Sequence, residues 1–223
     1  MKKKYATILL VLIIISTACT QSKERSINEK TEWSHTWMVN TSDTVLPRVL
    51  VVGDSHVERY YPHIALSLKD QANVCKLTTS KSLGDPILLD QIQMLLKQYN
   101  FNIITFNNGL HGRGYAEKEY ADHLPLLVNM IKENCEGILI LVNTTPARQS
   151  NNLDNFQEFN KKVIERNQIF ENFAKEHSLL LVNLYTLGEK SSDYYTNDGI
   201  HFNEKGVREE ARLVSEKIKM YIN

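Results

Sequence analysis

Apolar and polar residues alternate along this chain in blocks whose lengths separate strands from helices. Short continuous apolar runs are typical of strands buried on both faces of a sheet. Longer stretches in which apolar residues recur every three or four positions indicate amphipathic helices. The predicted strands are Val49–Val52, Asn73–Thr78, Phe101–Phe106, Gly137–Val142 and Leu179–Leu184, and the predicted helices are Val57–Lys69, Ile87–Tyr99, Glu117–Asn134, Asp154–His177 (the longest) and Glu204–Tyr221.

This alternation predicts an architecture. Strands that alternate with helices form parallel βαβ units with right-handed crossovers. We therefore predict a three-layer α/β/α sandwich around a five-stranded parallel sheet, formed by residues 46–223. A chain of 223 residues has room for one such domain, and it shows no internal repeat.

The first 18 residues have the composition of a secretory signal. Met1–Lys4 is basic, Ala6–Ile15 is almost wholly apolar, and Ser16–Ala18 supplies small residues. The apolar run is too short to predict a membrane span. Cys19 follows directly, as in bacterial lipoprotein signals, so we expect residues 1–18 to be removed and Cys19 to carry a membrane-anchoring lipid. The alternative is an ordinary cleaved signal with an incidental cysteine.

Residues 19–45 are polar and have no sustained periodicity, which predicts a tether with a partly ordered end. We expect the aromatic residues in it, Trp33 and Trp37, to pack on the domain. The remaining cysteines, Cys75 and Cys135, fall on different predicted elements, which favours two free thiols over a disulfide.

Charge and motif content exclude several classes of function. The 26 basic and 26 acidic side chains balance and form no basic stripe, so we expect no nucleic-acid partner. No Cys/His spacing indicates a metal site. We expect no cofactor either, because Gly112-Arg113-Gly114 lacks the rest of a phosphate-binding fingerprint.

Two short motifs near opposite ends of the domain carry candidate chemistry. Gly53-Asp54-Ser55 follows the first strand, at the edge where open α/β sheets place their reactive groups. Asp198-Gly199-Ile200-His201 brings an acid and an imidazole together in one turn. A hydroxyl, an imidazole and a carboxylate are the parts of a nucleophilic triad. Taken singly, Ser55 could be only a helix cap and Asp198-Gly199 only a turn.

Together these motifs resemble the first and last sequence blocks of the SGNH (GDSL-type) hydrolases, a family of serine esterases. The resemblance covers Arg48 to the C terminus and implies the strand order 2-1-3-4-5. It implies Ser55 as the nucleophile, His201 as the general base and Asp198 as the carboxylate that orients His201.

The resemblance also implies an oxyanion hole made by the backbone amides of Ser55 and Gly84 and the side-chain amide of Asn108. After its third strand the family usually reads Gly-x-Asn-Asp, whereas this chain has Phe106 in place of the glycine. Asn107 is therefore the rival of Asn108 for the oxyanion role.

Other polar residues near the predicted strand ends are candidates for weaker roles. Asn107, His111 and Arg148 are candidate substrate contacts, and we expect Asp54 to brace the Gly-Asp-Ser turn. The position after Ser55 is usually Leu in the family, whereas this chain has His56. We expect four histidines at the surface or at the rim of the site: His56, His63, His111 and His123.

The resemblance implies a serine esterase that hydrolyses a small acyl ester through an acyl-enzyme. The signal-like N terminus predicts that this esterase is exported and anchored in a bacterial cell envelope through Cys19. Deacetylation of an O-acetylated carbohydrate is the leading expectation, by family analogy. Three alternatives remain open: a lysophospholipase or thioesterase acting on lipid acyl groups, an acyltransferase, and an inactive binding lipoprotein with the same fold.

Overall fold

The computed structural model describes residues 26–222, so the predicted signal and Cys19 lie outside the described residues. A short 3₁₀ turn at Ser192–Tyr194 precedes the last helix. The strands are β1 (Ser34–Trp37), β2 (Arg48–Gly53), β3 (Asn73–Thr79), β4 (Ile103–Asn107), β5 (Ile138–Val142), β6 (Arg148–Gln149), β7 (Asn152–Phe156) and β8 (Leu180–Val182), and the helices are α1 (Ser55–Ser67), α2 (Pro86–Gln98), α3 (Glu117–Asn134), α4 (Asn160–Glu176), α5 (Tyr185–Lys190) and α6 (Glu204–Lys219).

The central sheet has six strands in the order β1-β3-β2-β4-β5-β8. Five of them are parallel and, counted along the chain, follow the order 2-1-3-4-5. The prediction of five strands was wrong by one, because β1 adds an antiparallel strand at the edge beside β3. All four side chains of β1 are exposed, so this strand lacks the apolar pattern that marks the others.

Helices cover both faces of the sheet and complete the predicted three layers. Leu50 and Val52 of β2 face a core shared with α2, α3 and α4, whereas Val49 and Val51 face a core shared with α1 and α6. All four side chains are at most 1 % exposed. The continuous apolar run is therefore a strand buried on both faces, as predicted.

The helix predicted from Asp154 begins instead at Asn160. The preceding residues form a short antiparallel hairpin, β6–β7, with Asn151 in the left-handed region at its turn (φ 59°). Phe156, which the helical pattern had included, is 40 % exposed and lies 4.6 Å from the Arg148 guanidinium. α4 has 17 residues, one fewer than α3, so the prediction that it is the longest helix was wrong. α3 runs through Pro125 without a break.

Cys75 is buried on β3 and Cys135 is half-buried after α3, and both are free thiols, as their placement on separate elements predicted. Within residues 26–222 no helix is both long and apolar enough to cross a membrane.

Candidate active site

Ser55, His201 and Asp198 come together beyond the carboxyl ends of the parallel strands. The Nε2 atom of His201 lies 2.9 Å from Ser55 Oγ, and its Nδ1 atom lies 2.7 Å from Asp198 Oδ2. These are hydrogen-bond distances along a continuous hydroxyl–imidazole–carboxylate chain. The Ser55 and His201 side chains are partly exposed, so a substrate can reach them.

The turn from β2 into α1 sets the position of Ser55. Asp54 is the N-cap of α1, and its Oδ1 accepts a hydrogen bond from the His56 amide (2.9 Å), which is the bracing role predicted for it. Ser55 is the first helical residue, so its own N–H is one of the amides that an α-helix leaves without an internal acceptor. Gly53 is required because a Cβ there would lie 2.3 Å from Val57 and 3.1 Å from the Asn107 carbonyl.

A tight turn holds Asp198 against His201. Gly199 has φ 72°, and a Cβ at this position would lie 2.2 Å from the Arg148 carbonyl, so only glycine fits. Asp198 Oδ1 accepts hydrogen bonds from the amides of Ile200 (2.8 Å) and His201 (2.9 Å). The carboxylate is thus fixed by the same turn that carries the imidazole.

The electrostatics suit a neutral base beside a charged acid. Burial by itself would raise the pKa of Asp198, but hydrogen bonds from His201, Ile200 and Thr196 hold that pKa well below its usual range. Burial lowers the pKa of His201, and the positive charges of His56 and Arg59 lower it further, although Asp198 opposes them. His201 is therefore neutral at pH 7 and can accept a proton.

A cleft of about 490 Å³ opens in front of Ser55 and His201. One wall comes from the loop that follows β4, and another comes from the N-terminal segment, which the sequence predicted as tether. The lining residues are Ile27, Asn28, Glu29, Lys30, Ser55, Leu110, His111, Gly112, Arg113, Gly114, Ile200 and His201.

His111 is the histidine of the β4 loop that faces this cleft. Its Nδ1 atom lies 2.9 Å from Glu29 Oε2, and the second oxygen of Glu29 accepts a hydrogen bond from the Gly112 amide (2.9 Å). Burial favours neutral His111, but Glu29 outweighs it and raises the pKa of His111. The Nε2 atom has no hydrogen-bond partner in the described part of the chain.

Arg166 on α4 holds the loop that carries His111. Its side chain is fully buried and donates hydrogen bonds to three backbone carbonyls of the loop, those of Gly109 (3.0 Å), His111 (2.6 Å) and Gly112 (3.1 Å). Glu117 neutralises the guanidinium at 2.6 Å. The loop is therefore built into the core instead of lying free on the surface.

The residues predicted to complete the oxyanion hole lie behind this loop. Asn108 is buried, with its amide oxygen accepting from Leu83 N (3.0 Å) and its amide nitrogen donating to Lys81 O (3.1 Å). The amide of Asn107 donates to the carbonyls that end β5. Gly84 packs against the Tyr115 ring. None of the three lines the cleft around Ser55.

Arg148 was predicted as a candidate substrate contact, and the structure gives it a different environment. It is 4 % exposed and donates to the carbonyls of Leu153 (2.7 Å), Gly188 (2.9 Å) and Glu189 (3.0 Å). Its guanidinium therefore ties the β6–β7 hairpin to α5 and does not line the cleft.

His56 was expected at the surface or rim but is 1 % exposed. It pairs with Glu210 of α6, which is fully buried. Sequence reasoning missed Glu210, Glu29 and Arg166. A signal existed for Glu210, which is a lone acid on the apolar stripe of Val207, Ala211 and Val214, and no pattern marked Glu29.

Residues 26–222 contain no group of three or more His, Cys, Asp and Glu side chains that could hold a metal ion.

Comparisons with known proteins establish the fold. No family model matches the chain, and no curated protein matches its sequence. Among solved structures, it is similar to a GDSL-like lipase from Bacteroides thetaiotaomicron (TM-score 0.63, 17 % identity, 78 % of this chain and 88 % of that one). It is also similar to an acetyl xylan esterase (0.63, 16 %, 77 % and 99 %) and to a carbohydrate acetylesterase family member from Sinorhizobium meliloti (0.62, 15 %, 79 % and 99 %).

Proposed function

We propose that this protein is a serine ester hydrolase whose nucleophile is Ser55. The observation that carries the proposal is the hydrogen-bonded chain Ser55–His201–Asp198, with separations of 2.9 Å and 2.7 Å. These three hydrogen-bonded side chains border an open cleft, and the fold that carries them is similar to solved esterase structures.

In the proposed reaction His201 Nε2 takes the Ser55 proton as Oγ attacks the ester carbonyl. Asp198 keeps the proton of His201 on Nδ1 and stabilises the imidazolium that forms. The imidazolium then protonates the leaving alcohol, and an acyl group remains on Ser55. A water molecule deprotonated by His201 releases the acid and restores the serine.

The negative charge on the carbonyl oxygen needs donors in the cleft. The Ser55 amide is one of them, because it starts α1 and the positive end of a helix favours an anion. We propose His111 as the side-chain donor, because the residue lines the cleft and its Nδ1 is held by Glu29, which leaves Nε2 without a partner among the described residues. The family spacing Gly-x-Asn also fits Gly109-Leu110-His111, with the imidazole in place of the amide. Asn108 and Gly84 then support the loops from behind.

The proposed substrate class is a small acyl ester on a carbohydrate, with acetyl the leading acyl group. The polar side chains of Asn28, Lys30 and Arg113 give the cleft hydrogen-bonding groups suited to sugar hydroxyls. Two of the structurally similar proteins are described as acetyl esterases of carbohydrates. A lipid acyl hydrolase, an acyltransferase and an inactive binding protein are the outcomes against which the proposal is tested.

The proposed location is the bacterial cell envelope, outside the cytoplasm, where a lipid on Cys19 would hold the protein at a membrane. The supporting feature is the basic, apolar and small-residue order of residues 1–18 before that cysteine.

The test is release of acetate from p-nitrophenyl acetate by the soluble form beginning at Lys23, with Ser55→Ala as the paired control. We expect the substitution to lower kcat by roughly 10⁴-fold or more while the melting temperature stays the same, because only the nucleophile is removed. Equal rates for the two proteins, with no labelling of Ser55 by a fluorophosphonate, would favour an inactive binding protein. Sugar acetylation in the presence of an added acceptor would instead identify an acyltransferase.

A further inference from the structure

A buried charged pair lies directly behind the proposed catalytic base. His56 Nδ1 is 2.7 Å from Glu210 Oε1, and the two side chains are 2 % and 0 % exposed. His56 occupies the position after the nucleophile, and Glu210 lies on α6, so the pair joins the first and last helices of the domain. A buried pair of this kind is weak evidence for stability alone, which makes a functional reason worth testing.

The His56 ring contacts the base in two ways. It stacks on the His201 ring, with centroids 5.9 Å apart and planes inclined by 25°. Its Nε2 atom lies 3.0 Å from the carbonyl oxygen of Ile200, the residue before His201, and 3.3 Å from Thr145 Oγ1. His56 therefore contacts both the backbone and the ring of the turn that carries the base.

The hydrogen bonds of His56 indicate its charge. A carbonyl oxygen can only accept, so Nε2 carries a hydrogen, and Nδ1 faces an oxygen of a carboxyl group. Burial opposes a charge on His56, but Glu210 and then Asp54 outweigh it and raise the pKa of His56 to about 9. Burial raises the pKa of Glu210, and the imidazolium partly offsets this effect. These directions favour the imidazolium form of His56, whereas burial works against the carboxylate form of Glu210.

We infer that the His56–Glu210 pair is a positioning device for His201: His56 donates through Nε2 to the Ile200 carbonyl and stacks on the base, so it fixes the His201 ring and places a positive charge against it. This inference rests on the proposed function, and it adds a working pH range and two residues that the triad alone does not include.

The other charges around the base are accounted for. On α1 and its cap, Arg59 also disfavours a proton on His201, and Asp54 stabilises the charge on His56. On the catalytic turn, Asp198 favours the proton on His201. From α6 the charge is Glu210, and the loop after β5 contributes only the neutral Thr145. His56 is thus the ring cation that stacks on His201 and opposes Asp198.

The experiment measures the pKa of His201 directly, by ¹H–¹⁵N NMR titration of the histidine rings without any substrate. Glu210→Gln removes the carboxylate but leaves a side-chain amide that can donate to Nδ1, so His56 becomes neutral with its hydrogen on Nε2. We expect the pKa of His201 to rise by up to about 0.5 unit, because the loss of a positive charge 5.9 Å away is worth roughly 0.5 unit at a water-like dielectric constant and the loss of the Glu210 carboxylate offsets part of it. The acid limb of kcat/KM should move to higher pH by the same amount.

Two further proteins keep the result interpretable. The double variant His56→Leu/Glu210→Leu replaces the pair by apolar groups and should also raise the pKa of His201. If Glu210→Gln fails to fold, the double variant still tests the inference, and the reverse holds as well. The control is His63→Leu, because His63 and Glu204 form a similar α1–α6 pair at the surface (3.4 Å). We expect no shift there.

An unchanged pKa of His201 in both pair variants would overturn the inference. The NMR titration also separates the two proposals. A shifted pKa in a protein without esterase turnover would leave the positioning device in place and reject the proposed function, whereas turnover with no shift would do the reverse.

Discussion

At the scale of single residues, the two candidates for the oxyanion donor differ in role: His111 is proposed to contact the substrate, and Asn108 is proposed to support the loop structure. His111 lines the cleft and its Nε2 has no hydrogen-bond partner among the described residues, whereas both polar atoms of the buried Asn108 amide are hydrogen-bonded to the backbone of residues 81 and 83. We expect His111→Ala to lower kcat by about 10- to 100-fold with a smaller change in KM, because an oxyanion donor acts mainly in the transition state. His111→Asn, which restores an N–H donor, should recover part of the loss.

Asn108→Ala provides the comparison. We expect it to lower the melting temperature, because it leaves the Leu83 amide and the Lys81 carbonyl without their buried partner. If Asn108→Ala instead removed kcat at unchanged stability, the assignment from the sequence motif would be right and the assignment to His111 wrong. The same loss from Asn107→Ala would select the rival asparagine.

The triad residues could be predicted from the sequence, because they lie in short motifs whose residue order the catalytic chemistry requires. Ser55, Asp198 and His201 belong to two short motifs, and in the structure they are hydrogen-bonded to one another. Glu29 and Arg166 could not be predicted, because each acts through a partner far along the chain, 82 residues away for Glu29 and His111. Arg148 was misjudged because a charged residue after a strand can equally serve the hairpin beside it.

At the scale of elements, the N-terminal segment 26–33 is part of the site. Ile27 N donates to the Tyr115 hydroxyl (2.7 Å), Trp33 N donates to Ser80 Oγ (2.9 Å), and Glu29 lies between these contacts on His111. We expect Glu29→Gln to lower kcat/KM by about tenfold, because the charge that favours protonated His111 is lost. The measurement is esterase turnover beside that of Glu32→Gln, which alters the same segment at Ser80 and removes a charge with a smaller effect on the pKa of His111, so it should lower activity less.

Equal activities of the wild-type protein and Glu29→Gln would mean that residues 26–33 only cover the fold.

The elements differ in how well the sequence pattern predicts them. The strands and helices with an apolar stripe, such as β2 and α2, were predicted to within a few residues. β1 and the β6–β7 hairpin are mostly exposed and polar, so their sequences carry no apolar periodicity. These strands are defined by tertiary contacts instead, β1 by its pairing with β3 and the hairpin by the buried Arg148.

At the scale of the whole molecule, the lipid anchor is a prediction about residues outside the described part of the chain. We expect the full-length protein, expressed in bacteria fed an alkyne fatty acid, to become labelled and to sediment with membranes. Cys19→Ser should abolish both, because no other thiol follows a signal-like segment. Cys135→Ser is the matched control and should keep both. A soluble, unlabelled wild-type protein would support an ordinary cleaved signal.

The contact of Ser26 with the folded body has a consequence for where the enzyme works. Ser26 Oγ donates to Asp85 Oδ2 at 2.6 Å, and only seven peptide bonds connect Ser26 to Cys19. A chain of that length reaches at most about 25 Å. With a lipid on Cys19, the enzyme would therefore keep its Ser26 within about 25 Å of the membrane surface. It would then trim polymers lying against that surface and leave esters in the outer medium largely untouched.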